Sequence, residues 1–599
     1  MKLTIESMTY GADGLAHADN GKAVFVQGAV AGDAVEAEVV QDGKSFMRAR
    51  TTEILEPSPD RIQPPCPFVG ICGGCSWGNL SRTAQLAAKE QNLRSTLERI
   101  GKFAPEQVDE LVQPIRHTKD DWGYRNKIEL EPTVVNGRVR LGMHGVDPSK
   151  IVTVDSCPLF DKRFPKALKS VVGALNYLSG SHDLGLERVG IRASRRTKAL
   201  EVALWTPTGS FPRSQVSRVL ADAAHPTSVV RVMSKGEKKA RRVSKVEMLA
   251  GEGSWTENTA EGQMRLSAPS FFQVNTKGAE ILIELVMDAL DPQEDELAVD
   301  LYCGAGTFTL PLARRCDFVA AVEAYGPAVR DLRRNLEINK LDNVDVIGGD
   351  AVREFPDQDA DVLVVDPPRA GLAPEAIDLI ASTSARDVAY VSCDPATLAR
   401  DLKRFVEEGT FSPVKITPVD LFPQTFHCET VVHLKRNYPH DESGPACITA
   451  RGPALFGRCN AGKSHRCTHG QPEQQRQQVA HRLGRVRRRR DPKDDVCRDE
   501  RCKQIEFLGR TTFYLQQQKR HTPGRPKRLG ADKHADRRRL KPGDERLDTA
   551  AQGRIGPAQS QIPRTGKHMA HVVSVDRSHI GRQGLASRRR HGIPANLHS

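Results

Sequence analysis

Two stretches near residue 400 carry groups able to do chemistry. V-S-C-D-P-A-T-L-A-R-D at 391–401 holds Cys393, and F-P-Q-T-F-H-C-E-T at 422–430 holds Glu429. A thiolate can add to an electron-poor carbon, and a carboxylate partly withdrawn from water can take a proton from the adduct. Cys393 closes an apolar run. The residues behind it read as a helix start, whose dipole and amides favour a thiolate over a thiol. A buried structural thiol is the competing reading. Cys303, Cys316 and Cys428 have no comparable setting and read as packing.

Upstream, D-L-Y-C-G-A-G-T-F at 300–308 follows a short apolar strand and precedes a helical segment. Glycines there let a cofactor approach the backbone at the carboxyl edge of a sheet. Glu323 ends the next strand about 20 residues on, where ribose-binding acids stand in such folds. Asp350 and Asp366 end the two strands after that, and each competes with a plain cap or turn reading. D-P-P-R-A-G at 366–371 follows V-L-V-V-D, and its prolines stiffen a loop able to wall a flat base pocket.

A second constellation is C-P-F-V-G-I-C-G-G-C, with Cys66, Cys72 and Cys75, and Cys157 in D-S-C-P-L-F as a distant fourth. Thiolates so spaced can wrap a metal centre, and Gly73 and Gly74 let the backbone turn around it. Spacing alone leaves an iron–sulfur cluster, a four-thiolate zinc site and buried thiols all open.

The elements that position these groups fall into four segments. Residues 1–57 alternate apolar and polar positions between Gly-rich turns and read as a small oligonucleotide-binding-type β-barrel, closed by the stiff E-P-S-P-D-R-I-Q-P-P. Residues 58–265 hold the spaced cysteines, a helix at 83–100 with Leu86, Leu93, Leu97 and Ile100 at helical spacing, and a mixed β-rich region. Over 266–437 apolar strands alternate with helical segments, the pattern of a doubly wound, Rossmann-like α/β sheet. Residues 438–599 have few aromatics, no periodicity and tracts such as R-V-R-R-R-R. They read as a disordered basic low-complexity tail, with an aberrant reading frame as the alternative. G-R-C-N-A-G-K-S at 457–464 satisfies a phosphate-loop pattern but lacks the flanking strand and helix.

Charge follows the same division. Residues 441–599 hold 35 Lys and Arg against 15 Asp and Glu, so the net +13 of the 599-residue chain splits into about +20 there and about −7 elsewhere. Nucleic-acid binding by the folded part therefore depends on local patches, such as R-A-S-R-R-T-K at 192–198 and K-G-E-K-K-A-R-R at 235–242, rather than on a bulk field. Thirteen unevenly spaced cysteines do not suit a secreted disulfide scaffold. No apolar run approaches the roughly 18 residues of a membrane span, and the first residues lack a signal peptide's apolar region. A cytoplasmic protein without a membrane partner is expected.

Taken together, Cys66, Cys72, Cys75 and Cys157, S-F-F-Q-V-N at 270–275, the glycine loop, D-P-P-R-A-G, V-S-C-D-P-A-T-L-A-R-D and F-P-Q-T-x-H-x-E resemble the RNA uracil-C5 methyltransferase family. The closer likeness is to its iron–sulfur members with an N-terminal TRAM-type barrel. It covers residues 1 to about 437. It implies S-adenosylmethionine as cofactor, with Gln273, Tyr302, Thr307, Glu323, Asp350 and Asp366 lining its site. Thr307 stands where an Asn is common, and Asp350 where some members have Asn. The likeness further implies Cys393 as nucleophile, Glu429 as base, a 4Fe–4S cluster on the four cysteines, and RNA as partner, 23S rRNA before tRNA, acted on by a monomer. A non-catalytic RNA-binding iron–sulfur or zinc protein is the alternative of a different class.

Overall fold

The computed structural model describes residues 1–236, 242–357 and 359–438. Most of the basic tract at 235–242, and all of the segment from 439 onward with its phosphate-loop-like tract, lie outside the described residues.

The N-terminal residues form a six-stranded sheet in the order Lys2–Thr4, Ala34–Asp42, Phe46–Glu56, Ala23–Gln27, Gly14–His17, Ser7–Met8. Its two edge strands are consecutive in the chain and separated only by Ile5 and Glu6. Ile5 N–H donates to the Asp33 carbonyl and Glu6 N–H to the Leu15 carbonyl, so the sheet must curl until its edges nearly meet. Alternation drives the curl inward: Val24, Val26, Val35, Ala37, Met47 and Ala49 fill its core. Gly14–His17 is a strand that the sequence does not announce, being short and led by glycine.

A seven-stranded sheet follows, in the order Ile151–Thr153, Arg138–His144, Lys127–Val135, Arg188–Ala193, Leu200–Pro207, Ser228–Lys235, Arg242–Gly251. The helices Ala167–Ser179 and Arg213–Ala224 contribute Leu168, Val171, Leu175, Val216 and Leu220 to the core on one of its faces.

The third sheet has eight strands: Val344–Gly348, Phe318–Glu323, Leu297–Leu301, Val362–Val365, Asp387–Ser392, Glu429–Arg436, Phe411–Asp420, Arg116–His117. The first five are parallel neighbours. Glu429–Arg436 is antiparallel to both of its neighbours. Central strands read as continuous apolar runs because both faces are covered. Val362 and Val364 join Leu282 and Val286 of the helix Thr276–Leu290 on one side. Leu363 and Val365 join Ile377, Leu398 and Leu402 on the other.

Residues 82–117 belong to this third unit by packing. Arg116–His117 adds a parallel strand at its edge. The helix Arg82–Thr96, capped by Ser81, runs on into a π-helical turn at Leu97–Gly101 rather than staying α-helical to 100; of the expected stripe Leu93 and Leu97 are buried in the core and Leu86 is half-buried, but Ile100 is 42% exposed, and Gln85 and Lys89 are buried as well. The polar pair faces inward because it serves the loop before Glu429. Lys89 Nζ donates to Asp420 Oδ1 at 2.5 Å and to the Phe422 carbonyl at 3.0 Å, and Arg82 pairs with the same Asp420. Burial pulls the Lys89 ammonium below its ordinary range, and these contacts offset that cost.

Candidate active site and cysteine cavity

At the carboxyl edge of the parallel strands the backbone turns sharply after Leu301. Tyr302, Gly304 and Gly306 all have positive φ, at 65°, 58° and 103°. A Cβ on Gly304 would meet nothing within 4 Å, so open space lies beside the loop, while one on Gly306 would strike Leu310 and Leu332. Glu323 ties this loop to the next strand: Gly304 N–H donates to its Oε2 at 2.9 Å and Tyr325 N–H to its Oε1 at 2.7 Å. Asp366 directly follows Val362–Val365, with its N–H on the Leu301 carbonyl at 3.3 Å. Asp350 is exposed, and its Oδ1 accepts from the amides of Val352 and Arg353 at 3.1 and 3.3 Å, which is the work of a turn cap. Thr307 is half-buried just before the short helix Thr309–Ala313. Burial pushes the Tyr302 hydroxyl up to about 12, so it remains a neutral donor.

Gln273 precedes the helix Thr276–Leu290, and its carbonyl accepts from Asn126 Nδ2 at 2.9 Å. Its side-chain Oε1 is buried without a hydrogen-bond partner, and so is Asp300 Oδ1. Such orphaned acceptors suit a site completed by a bound polar molecule or water. Asp300 does not stand out in the sequence, although an acid inside L-A-V-D-L is a signal that could have drawn it. Its Oδ2 accepts from Thr309 Oγ1 at 2.6 Å. Burial first, then the charges of Asp366 and Glu323, raise its carboxyl to about 8.

Cys393 stands one residue beyond Asp387–Ser392 and is half-buried. The register pairs Ser392 with Thr430, so Cys393 and Glu429 come next after that last ladder pair, at the same end of the two strands, Glu429 being the first residue of its own. Glu429 is 3% exposed. Asp394 caps the helix Pro395–Glu408, and its Oδ1 takes the amides of Ala396 and Thr397 at 3.0 and 3.1 Å. Those helix amides are therefore engaged by a carboxylate rather than turned on the thiol. On the neighbouring loop, Arg369 of D-P-P-R-A-G has its Nη2 3.5 Å from His427 Nδ1. Burial, then Arg369, Lys89 and Arg125, hold the His427 imidazole well below its usual range. The ring is neutral and accepts at Nδ1.

The loop carrying His427 is fastened on all sides. Gln85 exchanges hydrogen bonds with Gln424, Tyr124 donates to the Pro423 carbonyl at 3.0 Å, and Asn275 donates to the Leu421 carbonyl at 3.1 Å. Trp77 N–H donates to the Gln424 carbonyl at 3.0 Å.

Cys66, Cys72, Cys75 and Cys157 line one cavity with Arg125 and Met143. Gly73 is needed where the loop crosses residues 144–145: a Cβ there would stand 3.0 Å from the Gly145 carbonyl oxygen. Burial raises the thiols of Cys72, Cys75 and Cys157, and nearby Arg125 opposes that rise. Among the described residues no three His, Cys, Asp or Glu side chains are arranged to hold a metal ion. The four cysteines line that cavity together, and thiolate is the donor type that both zinc and iron–sulfur groups take.

The profile of the tRNA (Uracil-5-)-methyltransferase family matches residues 258–437. A protein of Gloeobacter violaceus named an uncharacterized RNA methyltransferase is 35% identical over 447 residues, 72% of this chain and 96% of that protein. One of Halalkalibacterium halodurans with the same description is 32% identical, over 73% and 96%. This chain belongs to the RNA uracil-C5 methyltransferase family. It is thus an RNA (uracil-5-)-methyltransferase. The crystal structure of Pyrococcus abyssi tRNA (uracil-54, C5)-methyltransferase, in complex with S-adenosyl-L-homocysteine, shares the fold, with a TM-score of 0.57 at 24% identity over 72% of this chain and all of that one. Among the described residues of this methyltransferase no helix is long and apolar enough to cross a membrane.

Proposed function

We propose that this methyltransferase transfers a methyl group from S-adenosylmethionine to C5 of a uridine in RNA through a covalent adduct at Cys393. The observation that carries the reading is the register of Asp387–Ser392 against Glu429–Arg436, which brings a thiol and a buried carboxylate to the edge where the glycine loop and its acids end. S-adenosylmethionine supplies the methyl group. Gln273, Tyr302, Thr307, Glu323, Asp350 and Asp366 would hold it, Asp350 by way of the turn it caps.

The chain's own groups perform the rest. C5 of uracil becomes nucleophilic only when sulfur adds at C6, so the Cys393 thiolate forms the S–C6 bond and the ring takes enolate character. Once C5 carries the methyl group, Glu429 accepts the C5 proton, the C5–C6 double bond reforms and Cys393 leaves with the S–C6 electrons. The target carbon is hidden in a stacked strand, so the uridine is flipped out, at a cost of about a few kcal/mol unless the RNA is already looped. Stiff D-P-P-R-A-G and the aromatic Phe422–Phe426–His427 group wall the slot that receives it.

Residues 1–57 act as a barrel of oligonucleotide-binding type, residues 58–265, apart from the 82–117 segment packed on the methyltransferase sheet, carry the cluster and grip RNA, and residues 266–437 perform the transfer. Cys66, Cys72, Cys75 and Cys157 would ligate a 4Fe–4S cluster whose contribution is to brace the loop that Trp77 joins to Gln424. The favoured substrate is 23S rRNA. The name of the Pyrococcus enzyme favours tRNA as the second reading. Incubation with methyl-labelled S-adenosylmethionine and total RNA, followed by mapping of 5-methyluridine, tests both. Label in large-subunit rRNA supports the first reading and label in tRNA the second. RNA free of 5-methyluridine would sink the enzymatic reading.

A further inference from the structure

The turn at residues 9–13, between Ser7–Met8 and Gly14–His17, leaves the N-terminal sheet and reaches the nucleophile. Its shape is braced internally: Thr9 Oγ1 and Thr9 N–H both donate to the Asp13 carbonyl, at 2.7 and 3.1 Å. It is also anchored from outside, because the Trp77 indole N–H donates to the Gly11 carbonyl at 2.9 Å. Trp77 is wholly buried and uses its backbone N–H on Gln424, so one residue fixes this turn against the loop before Glu429.

Between these anchors Tyr10 projects to the catalytic edge. Its hydroxyl donates to the Cys393 carbonyl at 3.4 Å, and its ring meets Phe426 edge to face at 5.4 Å. The Cys393 carbonyl lies past the last ladder pair, Ser392 with Thr430, and before the helix that starts at Pro395. The other side of that peptide plane is held by the Asp394 N–H, which donates to Ser392 Oγ at 3.3 Å, so Tyr10 fixes the carbonyl side. Burial and the charge of Asp394 hold the Tyr10 hydroxyl well above its ordinary range, so it keeps its proton at any working pH.

We propose that Tyr10 is a positioning residue for the methyl-transfer reaction, fixing the backbone that aims the Cys393 sulfur while its ring steadies Phe426 in the base slot. The N-terminal sheet is then a component of the reaction site as well as a surface for RNA. This rests on Cys393 being the nucleophile. Positional errors near 1 Å cost orders of magnitude in such chemistry, and a single long hydrogen bond controls less than that.

The test uses the full chain carrying Tyr10→Phe, which keeps the ring on Phe426 and removes only the hydroxyl. The expected result is a kcat lowered about 5- to 20-fold, an equal slowing of adduct formation with 5-fluorouridine RNA, and an RNA KM within about twofold of the parent. Tyr10→Ala should lower kcat further. A raised KM with unchanged kcat would make Tyr10 an RNA contact and overturn the proposal, as would kinetics within about twofold of the parent in every respect. A fall in kcat matched by loss of the thermal unfolding transition would also overturn it, assigning Tyr10 to the fold alone. Cys393→Ala, run in parallel, separates the two ideas. Turnover by that variant sinks the nucleophile reading itself, whereas its inactivity beside an unaffected Tyr10→Phe sinks only the role of Tyr10.

Discussion

Cys393 stands at the end of a strand buried along its whole length, whereas Cys66, Cys72, Cys75 and Cys157 lie on irregular loops around one cavity. The first thiol owes its place to pairing between strands whose partners are Ser392 and Thr430, and its neighbours are polar. Of the other four, Cys66, Cys72 and Cys75 owe theirs to a short loop that crosses residues 144–145 through Gly73, and Cys157 stands beyond the strand Ile151–Thr153; burial pushes Cys72, Cys75 and Cys157 toward the neutral thiol. A sulfur meant to react needs partners that change during the reaction. Sulfurs meant to hold a group need a fixed wrap and a charge that the group itself brings. The two sites nonetheless share a support, since Trp77 follows Cys75 by two residues and bonds to both Gly11 and Gln424.

Substitution of one thiol at a time breaks or sharpens this contrast. Cys393→Ala should lower turnover by at least about a thousandfold and abolish the 5-fluorouridine adduct, while iron content and S-adenosylmethionine binding stay unchanged in metal assay and calorimetry. Iron lost from that variant would mean that the two sites are not separate. Glu429→Gln should leave addition and methyl transfer in place but slow release about 100- to 10,000-fold. Gel electrophoresis would then show a protein–RNA adduct accumulating, and fast turnover without it would move the base elsewhere.

Cys72→Ser tests the other half. Anaerobically purified parent protein should carry about four irons, and the variant should lose them with its visible absorbance. Its turnover should fall by about tenfold, because the Trp77 anchor loosens without being removed. Stoichiometric zinc in the parent would refute the cluster. An effect on stability rather than turnover concerns Asp300. Its folded carboxyl keeps a proton up to about pH 8, whereas an unfolded one releases it near 3.8, so the native state binds more protons in that window. Stability should therefore drain as pH rises through the window, and Asp300→Asn should gain on the parent by at most about 1.4 kcal/mol per pH unit there. Urea midpoints for both proteins that run parallel between pH 5 and about 8 would show that Asp300 is ionised throughout.

Much of the catalytic sheet was legible. Phe318–Glu323 and Asp387–Ser392 coincide with the apolar runs read as strands, because parallel central strands are apolar on both faces and short turn signals bound them. Phe411–Asp420 escaped notice: Pro413 and Pro418 interrupt it, and it lies next to the edge, where proline is tolerated. The helix Arg82–Thr96 was visible and Leu93 and Leu97 are buried as its spacing implies, yet the buried Lys89 was not, since leucine spacing says nothing about a lysine drawn in by an aspartate far along the chain. Cys393 and Glu429 were legible as residue types within a family likeness. Their shared edge depends on Asp387–Ser392 pairing with Glu429–Arg436 across an intervening helix and strand, a long-range choice that neither segment states on its own. Tyr10, Trp77 and Asp300 gave no signal at all beyond an acid in an apolar strand.

The bond between Lys89 and Asp420 spans 331 residues. During synthesis at about 5–20 residues per second, the helix bearing Lys89 waits roughly 15–70 s for its partner to be made. Over that interval the ammonium is solvated and the leucines beside it have no core to join. Hydrating such a charge is cheap and burying it unpaired is costly, so packing this face of the helix is disfavoured for as long as Asp420 has not been made.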